Sequence, residues 1–287
     1  MSAGDQPMLS IDEAIRFMRE RPEYADVVRD AYLGRDVEQS YHRFLESAEF
    51  DEVRTLIGPA IVDALVVDVG AGTGIASRAF LASGARRVFA LEPDPSDEVG
   101  QGAIRRLGNA LSVDIVSAYA EHIPIASGAV DVVYARQVLH HTRNLDAAVG
   151  ECARVLRSGG YFVACREHVV ADGEELAAFL SQHPVHQLAG GENAYRLEEY
   201  TTALRRAGLD LLYALTPWES VINAYPMVRS TQELDDLPRR YLSDRFGTLG
   251  GAAARIPLVR KGFLARLRRS SPGQMYSFVA RKPPLSP

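Results

Sequence analysis

Val66-Val67-Asp68-Val69-Gly70-Ala71-Gly72-Thr73-Gly74 decides how this 287-residue chain is read. Leu65 to Val67 with Val69 is an apolar stretch of the kind buried on both faces of a parallel sheet. Glycines at three alternate positions interrupt it, and Ile75 to Ala82 then reads as a helix. A strand, a glycine-rich turn and a helix form the first half of a nucleotide-binding unit. Glycine lets the backbone turn sharply and lets a ligand come close. The helix directs unpaired amides and its positive dipole end at a bound anion. A dinucleotide fingerprint asks for G-x-G-x-x-G. Here the spacing is G-x-G-x-G, Ile75 stands where the third dinucleotide glycine would be, and Asp68 lies in the strand two positions before Gly70. An ordinary tight turn and a relaxed dinucleotide motif both stay open at this point.

The following segments narrow the choice. Arg87–Leu91 reads as a second strand ending at Glu92, where an ionised carboxylate accepts hydrogen bonds from a ribose diol. Pro93 and Asp94 lead into a helix expected over Asp97–Leu107. Leu111–Val116 is the third strand, followed by Ser117-Ala118-Tyr119-Ala120-Glu121-His122-Ile123-Pro124-Ile125. Val130–Tyr134 is the fourth strand, and Ala135-Arg136-Gln137-Val138-Leu139-His140-His141-Thr142 follows it. Leu145, Ala148, Val149, Cys152, Val155 and Leu156 recur at helical spacing, with a glycine stop at Gly159-Gly160 and a fifth strand over Tyr161–Cys165.

Four of these stretches together resemble the class I S-adenosylmethionine-dependent methyltransferases. They are the Asp68–Gly74 motif, Ala120-Glu121-x-Ile123-Pro124, Leu139-His140-His141, and Glu151-x-x-Arg154-Val155-Leu156-Arg157-x-Gly159-Gly160, while Glu92 fits either nucleotide class. They cover about residues 65–166. The resemblance implies a doubly wound, mostly parallel, seven-stranded Rossmann-like α/β sheet whose last strand is antiparallel. It implies S-adenosylmethionine as cofactor, bound by Asp68, Gly70, Ala71, Gly72, Gly74, Glu92, Pro93, Tyr119, Ala120, Glu121 and Arg136. Tyr119 departs from the family, which has an acid there for the adenine amino group. Either Tyr119 meets the adenine or Glu121 takes that role.

Acceptor-side residues are expected beyond the carboxyl ends of the strands. Gln137 and Arg166 belong there, with Tyr41 from an N-terminal helix and His186, Glu192 and Asn193 from a polar loop. His168 and His141 are the candidates for a general base, because histidine exchanges protons near neutral pH. No metal is expected: helical neighbours such as His140 and His141 point about 100° apart, and no third ligand stands at a persuasive spacing.

The periphery divides into a helical N-terminal lid (1–58), the cofactor-binding core (59–216, with a loop insertion at 167–196), a helical insertion (217–273) and a final strand with its tail (274–287). Ser10 to Glu13 forms a capping-box helix start. Tyr24, Tyr32, Tyr41 and Phe44 are expected mostly to pack the first helices onto the core. Arg260, Lys261, Arg266, Arg268 and Arg269 read as a solvated basic helix face.

A net charge of −5 disfavours a broad nucleic-acid surface. Cys152 and Cys165 lack metal or redox spacing and read as buried thiols in a reducing compartment. With no signal-like start and no membrane-length apolar run, the expected location is cytoplasmic. No Asp/Asn-Pro-Pro-Tyr/Phe run follows the fourth strand, which disfavours base or amide nitrogen as acceptor. The expected partner is a small-molecule acceptor, with membrane and nucleic acid disfavoured and a homodimer left open. A NAD-dependent oxidoreductase and a catalytically silent S-adenosylmethionine-binding protein are the alternatives.

Overall fold

The computed structural model of the protein describes residues 8–107, 113–267 and 273–284. Eight strands make one sheet: β1 (Leu65–Val69), β2 (Arg87–Leu91), β3 (Val113–Val116), β4 (Val130–Arg136), β5 (Leu156–Val170), β6 (Tyr195–Arg196), β7 (Asp210–Leu215) and β8 (Gln274–Arg281). Their order is β3-β2-β1-β4-β5-β8-β7, with the two-residue β6 beside β5. Strands β1 to β5 run parallel, and β8 is antiparallel to both of its neighbours. The chain order reverses between β1 and β4. Ligands bind beyond the carboxyl ends of strands at such a switch point.

Among the described residues thirteen α-helices flank the sheet: α1 (Ile11–Arg19), α2 (Ala25–Asp30), α3 (Val37–Leu45), α4 (Ala48–Ile57), α5 (Ile75–Ala82), α6 (Gln101–Arg106), α7 (Leu145–Val155), α8 (Gly173–Gln182), α9 (Pro184–Ala189), α10 (Leu197–Arg206), α11 (Val221–Ala224), α12 (Thr231–Ala253) and α13 (Pro257–Leu267). Several start on side-chain caps. Ser10 and Glu13 cap α1 reciprocally, and Ser47, Asn144 and Asp172 cap α4, α7 and α8.

Alternate residues of each central strand enter opposite cores, as the pleat requires. Val67, Val69, Val133 and Ala135 pack with Val149, Cys152 and Tyr200 beneath α7 and α10. Val66, Val132 and Tyr134 pack with Phe44, Phe50 and Phe80 beneath α3, α4 and α5. Phe44, Phe50, Phe80 and Tyr134 form an unbroken file of rings 5.0 to 5.4 Å apart, and Tyr32 stands 5.5 Å from Phe44.

The structure corrects several boundaries. β5 is 15 residues long, because residues 156–160, with Gly159 at φ 77°, belong to the strand rather than forming a separate helix stop. It also runs on past Cys165 and carries His168 inside the sheet. α6 starts at Gln101, not Asp97, since loop bonds from Gln101 N to Asp94 O and Gly102 N to Ser96 O precede it. α4 was not foreseen, nor was α9 inside the supposed polar loop. β8 pairs with β5 as well as β7. The α12 helix breaks at Gly247, which has φ 62°. Leu111, Arg268 and Arg269 lie outside the described residues. No helix among the described residues is long and apolar enough to cross a membrane.

Candidate active site

A cavity of about 910 Å³ opens at the switch point. One end is built from backbone. Gly70, Gly72 and Gly74 all have positive φ (61°, 54° and 80°), a region L side chains enter at a cost. A Cβ on Gly70 would lie 2.5 Å from a Val138 methyl, so the turn also needs glycine for space. Gly74 initiates α5 and does not line the cavity, contrary to expectation. Gly70, Ala71, Gly72, Pro93, Tyr119 and Ala120 do.

Glu92 spans this end. Its Oε2 accepts from Gly72 N at 2.8 Å and its Oε1 from Asp94 N at 2.9 Å. Burial raises its pKa while these two amides oppose the rise. Asp68 is wholly buried in β1 and accepts from Ser77 Oγ at 2.6 Å. Burial pushes its pKa up to about 7, against the Ser77 hydrogen bond and with help from the nearby Glu92 charge. Tyr119 is 61% exposed, with the Arg143 guanidinium 5.7 Å from its ring centre. Glu121 lines the cavity, but its Oε1 accepts from Arg143 N and Asn144 N at the approach to α7. The segment between these residues and β4 is clamped by α7: Glu151 accepts from Ile123 N, and Arg154 donates to the carbonyls of Ile123 and Ile125.

The middle of the cavity wall is an ion cluster. Arg136 donates through Nε to Glu49 Oε1 at 2.6 Å, and Glu49 is completely buried on α4. Arg166 stands 3.9 Å from Glu49 and donates to the carbonyls of Ile222 (2.8 Å) and Tyr225 (2.7 Å). Burial works against the Arg136 charge, yet Glu49 holds its pKa above the ordinary value. Arg166 is lowered by burial, with Glu49 opposing. These two arginines, expected to bind cofactor and substrate, therefore tie the N-terminal helices and the insertion to the strand ends. Gln137 lines the wall with positive φ and accepts from Arg136 at 2.9 Å.

The far end is made of side chains. The β5 register shifts between Ala164 and Glu167, with Arg166 at φ 60°, and this bulge brings Glu167 inward. Glu167 accepts from Val138 N, His140 N and His140 Nδ1, the last at 2.7 Å. Burial alone would raise its pKa, but His140 and the amides hold it below the ordinary value. His168 Nδ1 lies 2.8 Å from Gly273 O, so Nδ1 carries the proton and Nε2 the lone pair. Burial, then the neighbouring His140, pushes the His168 pKa well down. His141 is lowered for the same two reasons. Glu192 lies 3.7 Å from His140 Nε2, His141 Nε2 and His183 Nδ1.

Both expected bases, together with Arg166 and Glu192, thus border one cavity. Tyr41, His186 and Asn193 do not. Tyr41 is buried under the Arg78 guanidinium, 4.3 Å from its ring. His140 and His141 sit on a 3-10 turn rather than an α-helix, with ring centres 4.2 Å apart. They are therefore not splayed as helical neighbours are, and Glu192 comes beside them from another loop. Glu49 carried no recognisable signal, and Glu167 and His183, though placed at the pocket side and in the polar loop by the sequence, act through partners distant in sequence. The insertion adds Trp218, Tyr225 and Met227, and α2 with its following turn adds Asp30 and Leu33.

A doubly wound sheet, a glycine turn after β1 and an acid closing β2 give the chain the fold of the class I S-adenosylmethionine-dependent methyltransferases. Comparisons with known proteins agree, and residues 67–164 match the methyltransferase domain family. A ubiquinone biosynthesis O-methyltransferase from Agrobacterium fabrum is 29% identical over 153 residues, which is 52% of this chain and 60% of that protein. A tRNA U34 carboxymethyltransferase from Shewanella baltica is 33% identical over 135 residues, 47% of this chain and 40% of that one. The chain therefore spans well under two thirds of these relatives. The geranyl diphosphate C-methyltransferase of Streptomyces coelicolor, solved with Mg2+, geranyl diphosphate and S-adenosyl-L-homocysteine, superposes over 98% of this chain and 91% of its own. The TM-score is 0.56 at 17% identity, so the likeness is one of fold.

S-adenosylmethionine is the cofactor of this class, and the residues present fit it. Each Glu92 oxygen keeps a lone pair after accepting one amide, enough for the two hydroxyls of a ribose. The turn presents no side chain beyond Cβ at Gly70, Ala71 and Gly72, so backbone can meet ligand there. Asp68 would offer a carboxylate to the methionine ammonium.

Proposed function

We propose that this protein transfers the sulfonium methyl of S-adenosylmethionine to a small-molecule acceptor. The observation that carries the reading is the single cavity shared by the Gly70–Gly72 turn, Glu92 and the histidine end. Its size suits a cofactor and a compact acceptor together. Residues 59–216 with 274–287 act as the catalytic core, and 1–58 and 217–273 cover the acceptor. Leu33, Trp218, Tyr225 and Met227 give that cover an apolar lining.

The sulfonium activates its own methyl group, so the protein's task is alignment and exclusion of water. An acceptor lone pair attacks the methyl carbon, the C–S bond breaks and its electron pair stays on sulfur. For a hydroxyl or acidic carbon, His141 or His168 takes the proton. Their lowered pKa values keep both neutral at pH 7, with a lone pair available. The net charge of −5 and pI near 5.8 favour a small acceptor over tRNA. A cytoplasmic location belongs to the same reading.

Calorimetric titration with S-adenosylhomocysteine, followed by methylation assays over a panel of phenols, hydroxy acids and amines, tests it. Micromolar binding and a methylated product are expected. Binding of NAD instead would point to an oxidoreductase. Binding without any product would point to a silent cofactor-binding protein, and methylation of tRNA alone would overturn the acceptor class.

A further inference from the structure

The geometry points to a divalent transition-metal site formed by His140 Nε2, His141 Nε2 and Glu192 Oε2 at the histidine end of the cavity. One ring nitrogen of each histidine and one Glu192 carboxylate oxygen lie within 4.8 Å of one another. Each histidine nitrogen is 3.7 Å from Glu192 Oε2, too long for a hydrogen bond. Two ligands on a tetrahedral ion with bonds of about 2.0–2.1 Å stand roughly 3.3 Å apart, so small side-chain adjustments close the site. Glu192 Oε2 is buried with no hydrogen-bond partner, on a side chain only 7% exposed. A buried carboxylate oxygen left unpaired is costly, and a cation would satisfy it.

The surroundings are arranged as metal-binding histidines require. A ligating imidazole almost always donates its other N–H to a carboxylate or carbonyl, which fixes the tautomer. His140 Nδ1 does so to Glu167 at 2.7 Å, and His141 Nδ1 faces Gly191 O at 3.3 Å. Both carbonyl and carboxylate only accept, so both Nε2 atoms carry lone pairs directed away from these supports. Glu167 is itself held by two backbone amides. Gly190 and Gly191, both at positive φ, turn the chain so that Glu192 reaches inward.

Two imidazoles and one carboxylate favour a first-row transition ion over magnesium or calcium. Three protein ligands leave a coordination position for substrate, as in catalytic zinc sites. All three residues border the cavity, so that position is available to an acceptor oxygen. A coordinated hydroxyl releases its proton more easily, to His168 or to solvent, because the His141 lone pair then holds the ion and His141 does not act as the base. Its oxygen then forms the bond to the methyl carbon while the C–S bond breaks toward sulfur. This consequence rests on the methyl-transfer reading; the binding of the ion does not. It narrows the acceptor to one that carries a hydroxyl or enol oxygen.

The test uses untagged full-length protein, stripped with chelator and dialysed. Zn2+ is titrated calorimetrically and Co2+ by visible absorption, with S-adenosylhomocysteine titrated into each sample. One ion per chain and cobalt d–d bands of a nitrogen–oxygen site are expected. Glu192→Gln and His141→Ala should abolish the bands. Glu167→Gln, which removes support without removing a ligand, should weaken binding about 10- to 100-fold. His42→Ala, an exposed histidine paired with Glu38, should change nothing. Stoichiometric binding that survives Glu192→Gln overturns the site. So does absence of metal binding in protein that still binds S-adenosylhomocysteine, and that result leaves the proposed function standing. Metal binding without S-adenosylhomocysteine binding overturns the proposed function and leaves the site.

Discussion

The two ends of the cavity are built by different means. At the Gly70–Gly74 end the functional groups are backbone amides and two carboxylates, Asp68 and Glu92, and their spacing is fixed by a strand, a turn and a strand end. At the histidine end they are side chains from the 3-10 turn after β4, the β5 bulge and the loops around His183 and Glu192. The first end is therefore local in sequence and tolerant of what surrounds it. The second exists only when distant segments have docked. Glu49 joins them, because its carboxylate sits against both Arg136 and Arg166.

Removing that junction should have the largest effect. Glu49→Ala leaves two buried arginines without a counter-charge, and losing one partner of a buried pair costs about 3–5 kcal/mol. Thermal unfolding should show a lower Tm and both ends should fail together. A fully stable Glu49→Ala protein would mean that the ends are energetically independent.

Glu92→Ala should come next and act on one end. It removes charge-assisted acceptors for a ribose, worth about 1.5–3 kcal/mol each, so S-adenosylhomocysteine affinity should fall at least about 100-fold by calorimetry. Glu167→Gln should do the reverse. Its amide N–H2 would meet the donor groups of Val138 or His140, destabilising by about 1–3 kcal/mol. Product formation should drop at least tenfold, while S-adenosylhomocysteine affinity changes little. If both variants lost cofactor binding equally, the division into two ends would be wrong.

The smallest effect concerns Asp68. Its folded pKa near 7 lies above the ordinary value, so the folded state binds the extra proton between roughly pH 4 and 7. That contribution is fully present at acid pH and is lost as pH rises through 7. Asp68→Asn keeps the acceptor for Ser77 and should raise the Tm of cofactor-free protein at pH 8 by about 2 °C or more. The gain should shrink toward pH 5. A gain that grew on acidification would contradict the sign.

The legible part of the fold was the part written in short periods. Strand β1, its glycine turn and α5 could be read within 20 residues, and Glu92 by its distance from them. The amphipathic stripe of α7 gave that helix almost to the residue. Boundaries failed where tertiary bonds overrode local preference. Residues 156–160 look like a helix stop and instead extend β5, because they lead into a strand paired on both sides. Tyr41 looked like a pocket residue and is a packing residue, since its helix face is set by α5 rather than by its own sequence.

The sequence by itself determined the cofactor end, because backbone conformation depends on residues next to one another and glycine accepts those dihedral angles at the least cost. Hydrophobic periods also set out the order of the central elements, β1 to β5 with α5 and α7 between them. Only the tertiary structure decided the acceptor end. There, Glu49 meets Arg136 across 87 residues. His140 meets Glu167 across 27 residues and lies against Glu192 from a third segment. No local pattern records such meetings: each residue is ordinary where it stands in the chain, and burial beside a partner gives it its chemistry.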